Sequence, residues 1–150
     1  MTRVLVAQGP NLNLLGTREP EIYGHDSLDD VHTEIATRAR ELGLDVAFFQ
    51  SNHEGALIDR LHERDFEAVV INPGGLTHTS VSLRDALVGI QRPFWEVHLS
   101  DPSTREAFRQ VNYIRDVAAG SFVGQGKRGY LLALDAVAAR FGPTKAGDGG

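Results

Sequence analysis

The residues Phe66-Glu67-Ala68-Val69-Val70-Ile71-Asn72 are the clearest indication of the class of fold. This run is almost continuously apolar, which is typical of a parallel strand that helices cover on both faces. Further short apolar runs, separated by longer amphipathic stretches, are found at residues 3–8, 44–50, 93–99 and, more weakly, 120–124. This alternation predicts βαβ units around a parallel sheet, and therefore an α/β protein.

The amphipathic stretches between these strands predict helices. Ser27 and Asp30 have the spacing of a capping box, and apolar residues recur after them at intervals of three and four until Gly43. The other stretches with helical spacing of apolar residues are 53–64, 80–90 and 130–141. A second capping-box pattern, Ser103-Thr104-Arg105-Glu106, predicts a short helix after Pro102.

Five strands with interleaved helices fit a flavodoxin-like, doubly wound parallel sheet with helices on both faces better than a six-stranded dinucleotide-binding fold. The length of 150 residues suits a single domain. We expect residues 1–141 to form this domain, and residues 142–150, of which four are glycines, to form a flexible C-terminal tail.

Composition and charge exclude several classes of protein. The formal net charge of -5 argues against a general nucleic-acid-binding protein, because such proteins carry basic surfaces. The chain has no cysteine, which excludes disulfides, thiolate metal ligands and a cysteine nucleophile. No apolar run approaches the roughly 20 residues of a membrane span. The first residues also lack the layout of a signal peptide, so we expect a cytoplasmic protein with no membrane partner.

In doubly wound sheets, ligands bind beyond the carboxyl ends of the strands, so functional residues are expected there. The first strand leads into Gly9-Pro10-Asn11-Leu12-Asn13 and then into an unusually long connection that reaches Ser27. This connection contains Arg18 and Tyr23. Either it is a mobile lid that carries a cation and a phenol, or it is a surface loop whose tyrosine merely packs.

The third strand leads into Asn72-Pro73-Gly74-Gly75-Leu76-Thr77-His78-Thr79-Ser80. Glycines allow the backbone to approach a ligand closely, and the N-terminus of the following helix offers free N–H groups to an anion. Asn72 and His78 could donate hydrogen bonds to the same ligand. The alternative is an ordinary glycine-rich turn in which Asn72 and Ser80 act as capping residues.

The fourth strand carries the sharpest indication of chemistry. Its alternation places Glu96 and His98 on the same face, about 7 Å apart along the backbone. A carboxylate beside an imidazole fixes the tautomer of the ring and favours its protonated form, as a general acid requires. The alternative is a buried pair that only satisfies its own hydrogen bonds.

Other residue types narrow the chemistry further. Arg105 and Arg109 are four residues apart, which would place both on one face of the predicted short helix, either as a clamp for an anion or as a solvated surface. Lys127 and Lys145 are the only lysines, and Lys145 is in the tail, so Schiff-base catalysis would have to use Lys127. No metal-ligand spacing and no Gly-x-Gly-x-x-Gly dinucleotide motif is present, so we expect neither a metal nor a bound dinucleotide.

Several stretches together resemble the type II 3-dehydroquinases (3-dehydroquinate dehydratases of the shikimate pathway), in order and at family spacing over residues 3–141. The matching stretches are Gly9 to Gly16, Arg18-Glu19-Pro20, Tyr23-Gly24, Gln50 to Gly55, Asn72 to Ser80, Glu96-Val97-His98, Arg105-Glu106, Arg109 and Gly129-Tyr130. The sequence departs from the family pattern at Asp101-Pro102-Ser103-Thr104, where the family usually has an asparagine and a histidine. It also departs at Gln110-Val111-Asn112-Tyr113, which replaces a histidine-containing stretch.

The resemblance implies a flavodoxin-like fold, dehydration of 3-dehydroquinate without a cofactor, and a homo-oligomer in which trimers assemble into a dodecamer. It implies that Tyr23 is the general base beside the lid residue Arg18, and that His98, supported by Glu96, is the general acid. Asn11 would help to hold an enolate through a water molecule. The positions that the resemblance assigns to substrate binding are Asn72, His78, Leu99, Ser100 and Arg109, with Asp85 linking the site to a neighbouring subunit.

The same fold also carries other functions. A phosphorylation receiver needs acidic residues after its first strand and an aspartate at the end of its third, but Gln8 and Asn72 occupy those positions. A flavin-binding electron carrier would be yellow when purified. The alternative to an enzyme is therefore a flavodoxin-like module that binds a small anion or a nucleotide without catalysis.

Overall fold

The computed structural model describes residues 1–17 and 19–142, and for Tyr23 the backbone alone. Its strands are β1 (Arg3–Gln8), β2 (Asp45–Gln50), β3 (Ala68–Asn72), β4 (Phe94–His98) and β5 (Gly120–Val123). They form one sheet in the order β2-β1-β3-β4-β5, and every neighbouring pair is parallel. This is the flavodoxin-like doubly wound order, so the predicted fold is confirmed.

The helices are α1 (Pro20–Tyr23), α2 (Leu28–Leu42), α3 (Glu54–His62), α4 (Val81–Gly89) and α5 (Arg128–Phe141). The predicted capping box opens α2: Ser27 Oγ accepts from the Asp30 N–H at 3.0 Å, and Asp30 Oδ2 accepts from the Ser27 N–H at 2.9 Å. The bounds of α3, α4 and α5 agree with the predicted ones to within two residues. The single turn α1 lies in the long connection, where the apolar spacing predicted no helix.

Alternation along β1 divides the core into two layers. Val4 and Val6 pack on the side of the sheet that α2 and α5 cover, with Ile35 in the same cluster. Leu5 and Ala7 pack on the opposite side, with side chains of α3 and α4. Because both faces of β1 are buried, all of its central residues are apolar.

The prediction of a short helix after Pro102 is wrong. The chain instead forms two separate 3₁₀ turns, Pro102–Thr104 and Ala107–Gln110, and Arg105 between them is extended, with φ -113° and ψ -162°. Asp101 caps the first turn, since its Oδ1 accepts from the N–H of Ser103 at 2.9 Å and from its hydroxyl at 2.7 Å. Ser103 therefore lies inside the first turn, with Asp101 as the cap, and does not cap a helix itself.

The loops after β1 and β3 pack against each other at two glycines. A Cβ atom on Gly9 would lie only 2.3 Å from the carbonyl oxygen of Pro73, and one on Gly74 would lie 3.0 Å from that of Pro10. Gly74 also has a φ of +60°, in the left-handed region that favours glycine. Close backbone contact therefore joins the two strand ends.

Two sequence-based expectations concern the ends of the molecule and its surroundings. The expected flexible tail lies outside the described residues, apart from Gly142. In the part of the chain that the structure describes, no helix is both long enough and apolar enough to cross a membrane.

Candidate active site

A cavity of about 150 Å³ lies beyond the carboxyl ends of β1, β3 and β4. This is the edge of the sheet at which the topology predicts a ligand. The predicted site residues that line the cavity are Asn11, Asn72, His78, His98, Leu99, Ser100 and Arg109. Arg105 lines it as well, together with an apolar part that the sequence analysis did not single out: Pro10, Leu12, Leu15 and Pro102.

The other predicted site residues lie elsewhere. Glu96 is buried behind His98 and is not part of the cavity lining. Asp85 is exposed on α4 and does not line the cavity of its own chain. Arg18 lies outside the described residues, as does the side chain of Tyr23, so their roles stay predictions. The backbone of Tyr23 ends α1, just before Gly24.

Glu96 and His98 form the pair that the strand alternation predicts. His98 Nε2 lies 2.6 Å from Glu96 Oε2, and the carboxylate is 0% exposed. Because a carboxylate only accepts hydrogen bonds, Nε2 carries the proton of this contact. A proton that His98 delivers to a ligand must therefore leave from Nδ1, the nitrogen that is protonated only in the imidazolium.

Three further donors hold the Glu96 carboxylate. Asn112 Nδ2 donates to Oε2 at 2.6 Å, and Arg115 Nε and Ser121 Oγ donate to Oε1 at 2.9 Å and 2.6 Å. Burial raises the pKa of Glu96, but the hydrogen bonds, led by that of His98, outweigh burial and lower the pKa to about 2. Glu96 is therefore ionised beside His98 at neutral pH.

The depressed pKa of Glu96 predicts a loss of stability in acid. The folded-state pKa of about 2 is below the ordinary value of 4.5, so ionised Glu96 stabilises the fold above pH 4.5. This contribution, on the order of 3 kcal/mol, disappears as the pH falls through that interval. We expect Glu96→Gln to flatten the pH dependence of the free energy of unfolding there, measured by urea unfolding.

The matched control for this measurement is Asp59→Asn, which removes an exposed carboxylate on α3. The control should keep the parent slope between pH 4.5 and about 2. If Glu96→Gln showed a slope as steep as that of the control, Glu96 would not be the group that titrates in this interval.

A buried hydrogen-bond chain fixes the orientation of Asn72 in the cavity wall. The Tyr130 hydroxyl donates to Gln8 Oε1 at 2.6 Å and accepts from Asn72 Nδ2 at 3.1 Å, while Asn72 Oδ1 accepts from the Gly74 N–H at 3.1 Å. Burial raises the pKa of Tyr130 to about 12, so its hydroxyl stays protonated. The Asn72 amide therefore has one N–H left for a ligand. No pattern in the sequence predicted that Gln8 or Tyr130 supports the site.

His78 is held in one tautomer at the cavity edge. Its Nδ1 lies 2.6 Å from the carbonyl oxygen of Val111, so Nδ1 donates and Nε2 is the acceptor of the neutral ring. Partial burial lowers the pKa of His78 and outweighs the hydrogen bond to Val111, which raises it; the charges of His98 and Arg109 lower it further. His78 is therefore a neutral hydrogen-bonding group at neutral pH.

Two guanidinium groups line the cavity, although they come from separate segments and not from one helix face as predicted. Both also pair with carboxylates, Arg105 with Glu19 and Glu106, and Arg109 with Glu106. The side chain of Arg105 is 15% exposed and that of Arg109 20% exposed, and Arg109 Nε donates to Glu106 Oε1 at 2.7 Å. Such groups bind carboxylates well. Within residues 1–17 and 19–142, no three His, Asp or Glu side chains are grouped so that they could hold a metal ion.

The loop after β1 is held in an unusual conformation at Asn11. Its φ of 71° is left-handed, a region that asparagine tolerates better than most residues. The Asn11 N–H donates to Asn52 Oδ1 at 2.9 Å, and Gln50 Nε2 donates to the same oxygen and to the carbonyl of Gly9, both at 3.2 Å. The segment after β2 thus positions Asn11 in the cavity.

Comparison with known proteins points to one family. The family model described as "Dehydroquinase class II" matches residues 2–138. The 3-dehydroquinate dehydratase of Ralstonia pickettii (strain 12J) is 54% identical over 138 residues, which cover 90% of this chain and 89% of the relative. The 3-dehydroquinate dehydratase of Ruegeria pomeroyi is 51% identical over 148 residues, or 97% of this chain and 99% of the relative.

Solved structures agree with the sequence comparison. The crystal structure of the type II dehydroquinase from Propionibacterium acnes matches with a TM-score of 0.88 at 38% identity, and covers 93% of this chain and 97% of the other. That of the type II dehydroquinase from Butyrivibrio crossotus matches with a TM-score of 0.88 at 40% identity, over 91% and 97% of the two chains. The agreement of sequence and fold over nearly the full length shows that this chain belongs to the class II dehydroquinase family.

Proposed function

We propose that this protein is a hydro-lyase that converts 3-dehydroquinate into 3-dehydroshikimate by anti elimination of water through an enolate, in the shikimate pathway. His98 is the general acid and Tyr23 the general base. One observation carries the proposal: a histidine backed by a fully buried, ionised carboxylate lies in the wall of a cavity lined by two arginines. Family membership identifies the substrate.

The acid half of the mechanism follows from the Glu96–His98 contact of 2.6 Å. Ionised Glu96 stabilises the imidazolium and fixes Nε2–H toward itself, so the second proton is on Nδ1. Transfer of that proton to the departing hydroxyl lets it leave as water. The neutral imidazole that remains keeps its hydrogen bond to Glu96.

The role of Tyr23 as the general base rests on the resemblance of Arg18 and Tyr23 to the family pattern. A phenol is mostly protonated near neutral pH, so it becomes an effective base only where positive charge stabilises its phenolate. Arg18 supplies that charge. Tyr23 then removes the proton beside the substrate carbonyl, on the opposite side from His98, and closure of the connecting segment excludes bulk water.

Substrate binding uses the polar groups of the cavity wall. Arg109 binds the substrate carboxylate, for which a guanidinium is the best-matched side chain. Asn72, Leu99 and Ser100 bind the remainder of the ring substituents, together with neutral His78. Asn11 holds a water molecule that hydrogen-bonds to the enolate oxygen as negative charge develops there.

Catalysis proceeds without a Schiff base or a cofactor. Lys127 Nζ lies 2.7 Å from Asp26 Oδ2 and 2.6 Å from Glu34 Oε2, and Lys127 does not line the cavity. Its ion pairs keep the amine protonated and raise its pKa, which is the opposite of what an imine-forming lysine needs.

The proposal includes assembly and location. The protein forms a homododecamer, assembled from trimers, in the cytoplasm, with Asp85 of one subunit reaching the site of a neighbouring subunit. The exposed position of Asp85 on α4 leaves it available for such a contact. Neither a nucleic acid nor a membrane is a partner.

The direct test is to add 3-dehydroquinate to the purified protein and to follow the conjugated enone of the product by ultraviolet absorbance. We expect steady product formation that EDTA does not stop and that borohydride, added with substrate, does not inactivate. Binding without turnover would favour the non-catalytic anion-binding module. A covalent substrate adduct on Lys127 after borohydride, detected by mass spectrometry, would contradict the mechanism without a Schiff base.

A further inference from the structure

Two side chains that can carry positive charge share the Glu96 carboxylate. His98 Nε2 contacts Oε2 at 2.6 Å, whereas Arg115 Nε contacts Oε1 at 2.9 Å. The Glu96 side chain is 0% exposed and that of Arg115 is 48% exposed. Arg115 therefore places a solvent-accessible cation on the buried charge directly behind the proposed acid.

The turn that contains Arg115 is built onto the same carboxylate. Asn112 Oδ1 accepts from the N–H groups of Ile114 and Arg115, both at 2.9 Å, and Asn112 Nδ2 donates to Glu96. Ile114 is fully buried and anchors the turn in the core. The backbone that carries Arg115 is thus fixed relative to Glu96 by an amide that bonds to both.

We propose that Arg115 is a positioning residue that adjusts how strongly Glu96 holds the proton of His98. The inference rests on His98 being the acid of the proposed function. A buried carboxylate with a single cationic partner would stabilise the imidazolium strongly and make it a weaker acid. The Arg115 guanidinium on Glu96 Oε1 weakens the attraction between the carboxylate and the His98 imidazolium, and it repels the imidazolium directly. Arg115 thereby eases release of the Nδ1 proton.

Other charges around His98 come from different segments and are unchanged by substitutions at Arg115. The titratable or charged side chains that line the cavity with His98, among the described residues, are His78, Arg105 and Arg109. Asp101, which follows the end of β4, is close enough to Arg115 for the guanidinium to contribute to lowering its pKa. The negative charge of Asp101 therefore partly offsets the positive charge of Arg115, and Asp101 does not contact Glu96.

The test compares Arg115→Met, Arg115→Lys and Ser121→Ala. Arg115→Met and Ser121→Ala each remove one hydrogen bond to Glu96 Oε1, but only the first removes a charge. Histidine ring resonances are followed by NMR against pH in the free protein, with the His98 signal assigned by its absence in His98→Ala. We expect the protonation midpoint of His98 to rise by about 0.5 to 1 pH unit in Arg115→Met. It should stay within about 0.3 unit of the parent in Arg115→Lys.

The Ser121→Ala control separates the effect of the Arg115 charge from that of a lost hydrogen bond to Glu96. We expect Ser121→Ala to move the midpoint less than half as far as Arg115→Met. Equal shifts in both variants, or an unchanged midpoint in Arg115→Met, would overturn the role of Arg115. The alkaline limb of the pH–rate profile should rise with the NMR midpoint. If the midpoint rises and the rate profile does not, Arg115 acts on His98 as inferred, but His98 is not the acid of the reaction.

Discussion

Tyr23→Phe is expected to lower the turnover number by about 10²- to 10⁴-fold, which is the contribution typical of a general base. The substitution removes only the hydroxyl oxygen that accepts the carbon-bound proton. Substrate binding depends on other groups, so KM or the Kd of a product-like inhibitor should change little. Steady-state kinetics and calorimetric titration measure the two quantities separately.

The matched control is Tyr113→Phe, which removes a phenol that does not line the cavity. Tyr113→Phe should retain the parent turnover within a factor of about two. Near-normal turnover in Tyr23→Phe would remove Tyr23 from the role of base. The same protein samples also report on exchange of the substrate proton beside the carbonyl, which should stop in Tyr23→Phe because that step needs the base.

His98→Ala should abolish dehydration and leave the first step intact. Without an imidazolium, the departing group would have to leave as hydroxide, so product formation should fall by about 10²-fold or more. Tyr23 and Arg18 remain in place, so the enolate can still form and return. We therefore expect solvent deuterium to enter the substrate beside the carbonyl at the parent rate while no enone accumulates, as measured by NMR and ultraviolet absorbance.

A control variant and one contradicting outcome complete the His98→Ala experiment. His62→Ala removes an exposed histidine at the end of α3 and should leave both exchange and dehydration as in the parent. Absence of exchange in His98→Ala would mean that enolate formation itself needs His98, which contradicts a division of labour between a separate base and acid. Circular dichroism of each variant checks that the fold is retained.

The sheet and its catalytic edge could be predicted because they depend on local patterns. The apolar run that ends at Asn72 predicts a strand covered on both faces, and β3 is that strand. Alternation within β4 places Glu96 and His98 on one face, and the structure shows them in contact. Parallel strands end at one edge, so the loops that follow them had to meet there.

The environment of Glu96 could not be predicted in the same way, because its partners are distant in sequence. Asn112 and Arg115 reach the carboxylate from 3₁₀ and irregular segments. Such segments show no periodic spacing of apolar residues from which their position could be predicted. Ser121 stands opposite Glu96 in the register of β4 and β5, so a predicted register of those strands was the only available indication. Asn112 was noted only as part of a departure from the family pattern.

The incorrect prediction of a helix after Pro102 has a physical explanation. The pattern from Ser103 to Glu106 satisfies the spacing of a capping box, but that motif stabilises a helix only if the residues after the serine take helical backbone angles. Asp101 instead caps a 3₁₀ turn that contains Ser103, and the chain extends at Arg105. Arg105 nevertheless lines the cavity, since an extended residue in the loop beyond a strand end can reach a ligand as well as a helical one.

The close contacts at Gly9 and Gly74, in the loops that border the cavity, bear on how the enzyme could be redesigned. A methyl group at position 9 would lie 2.3 Å from a neighbouring carbonyl oxygen, and one at position 74 would meet the other loop at 3.0 Å. Directed evolution for new substrates will therefore find these two sites closed to variation. Variation that broadens specificity is therefore expected at other residues of the cavity lining, such as Leu12, Leu15 and Pro102.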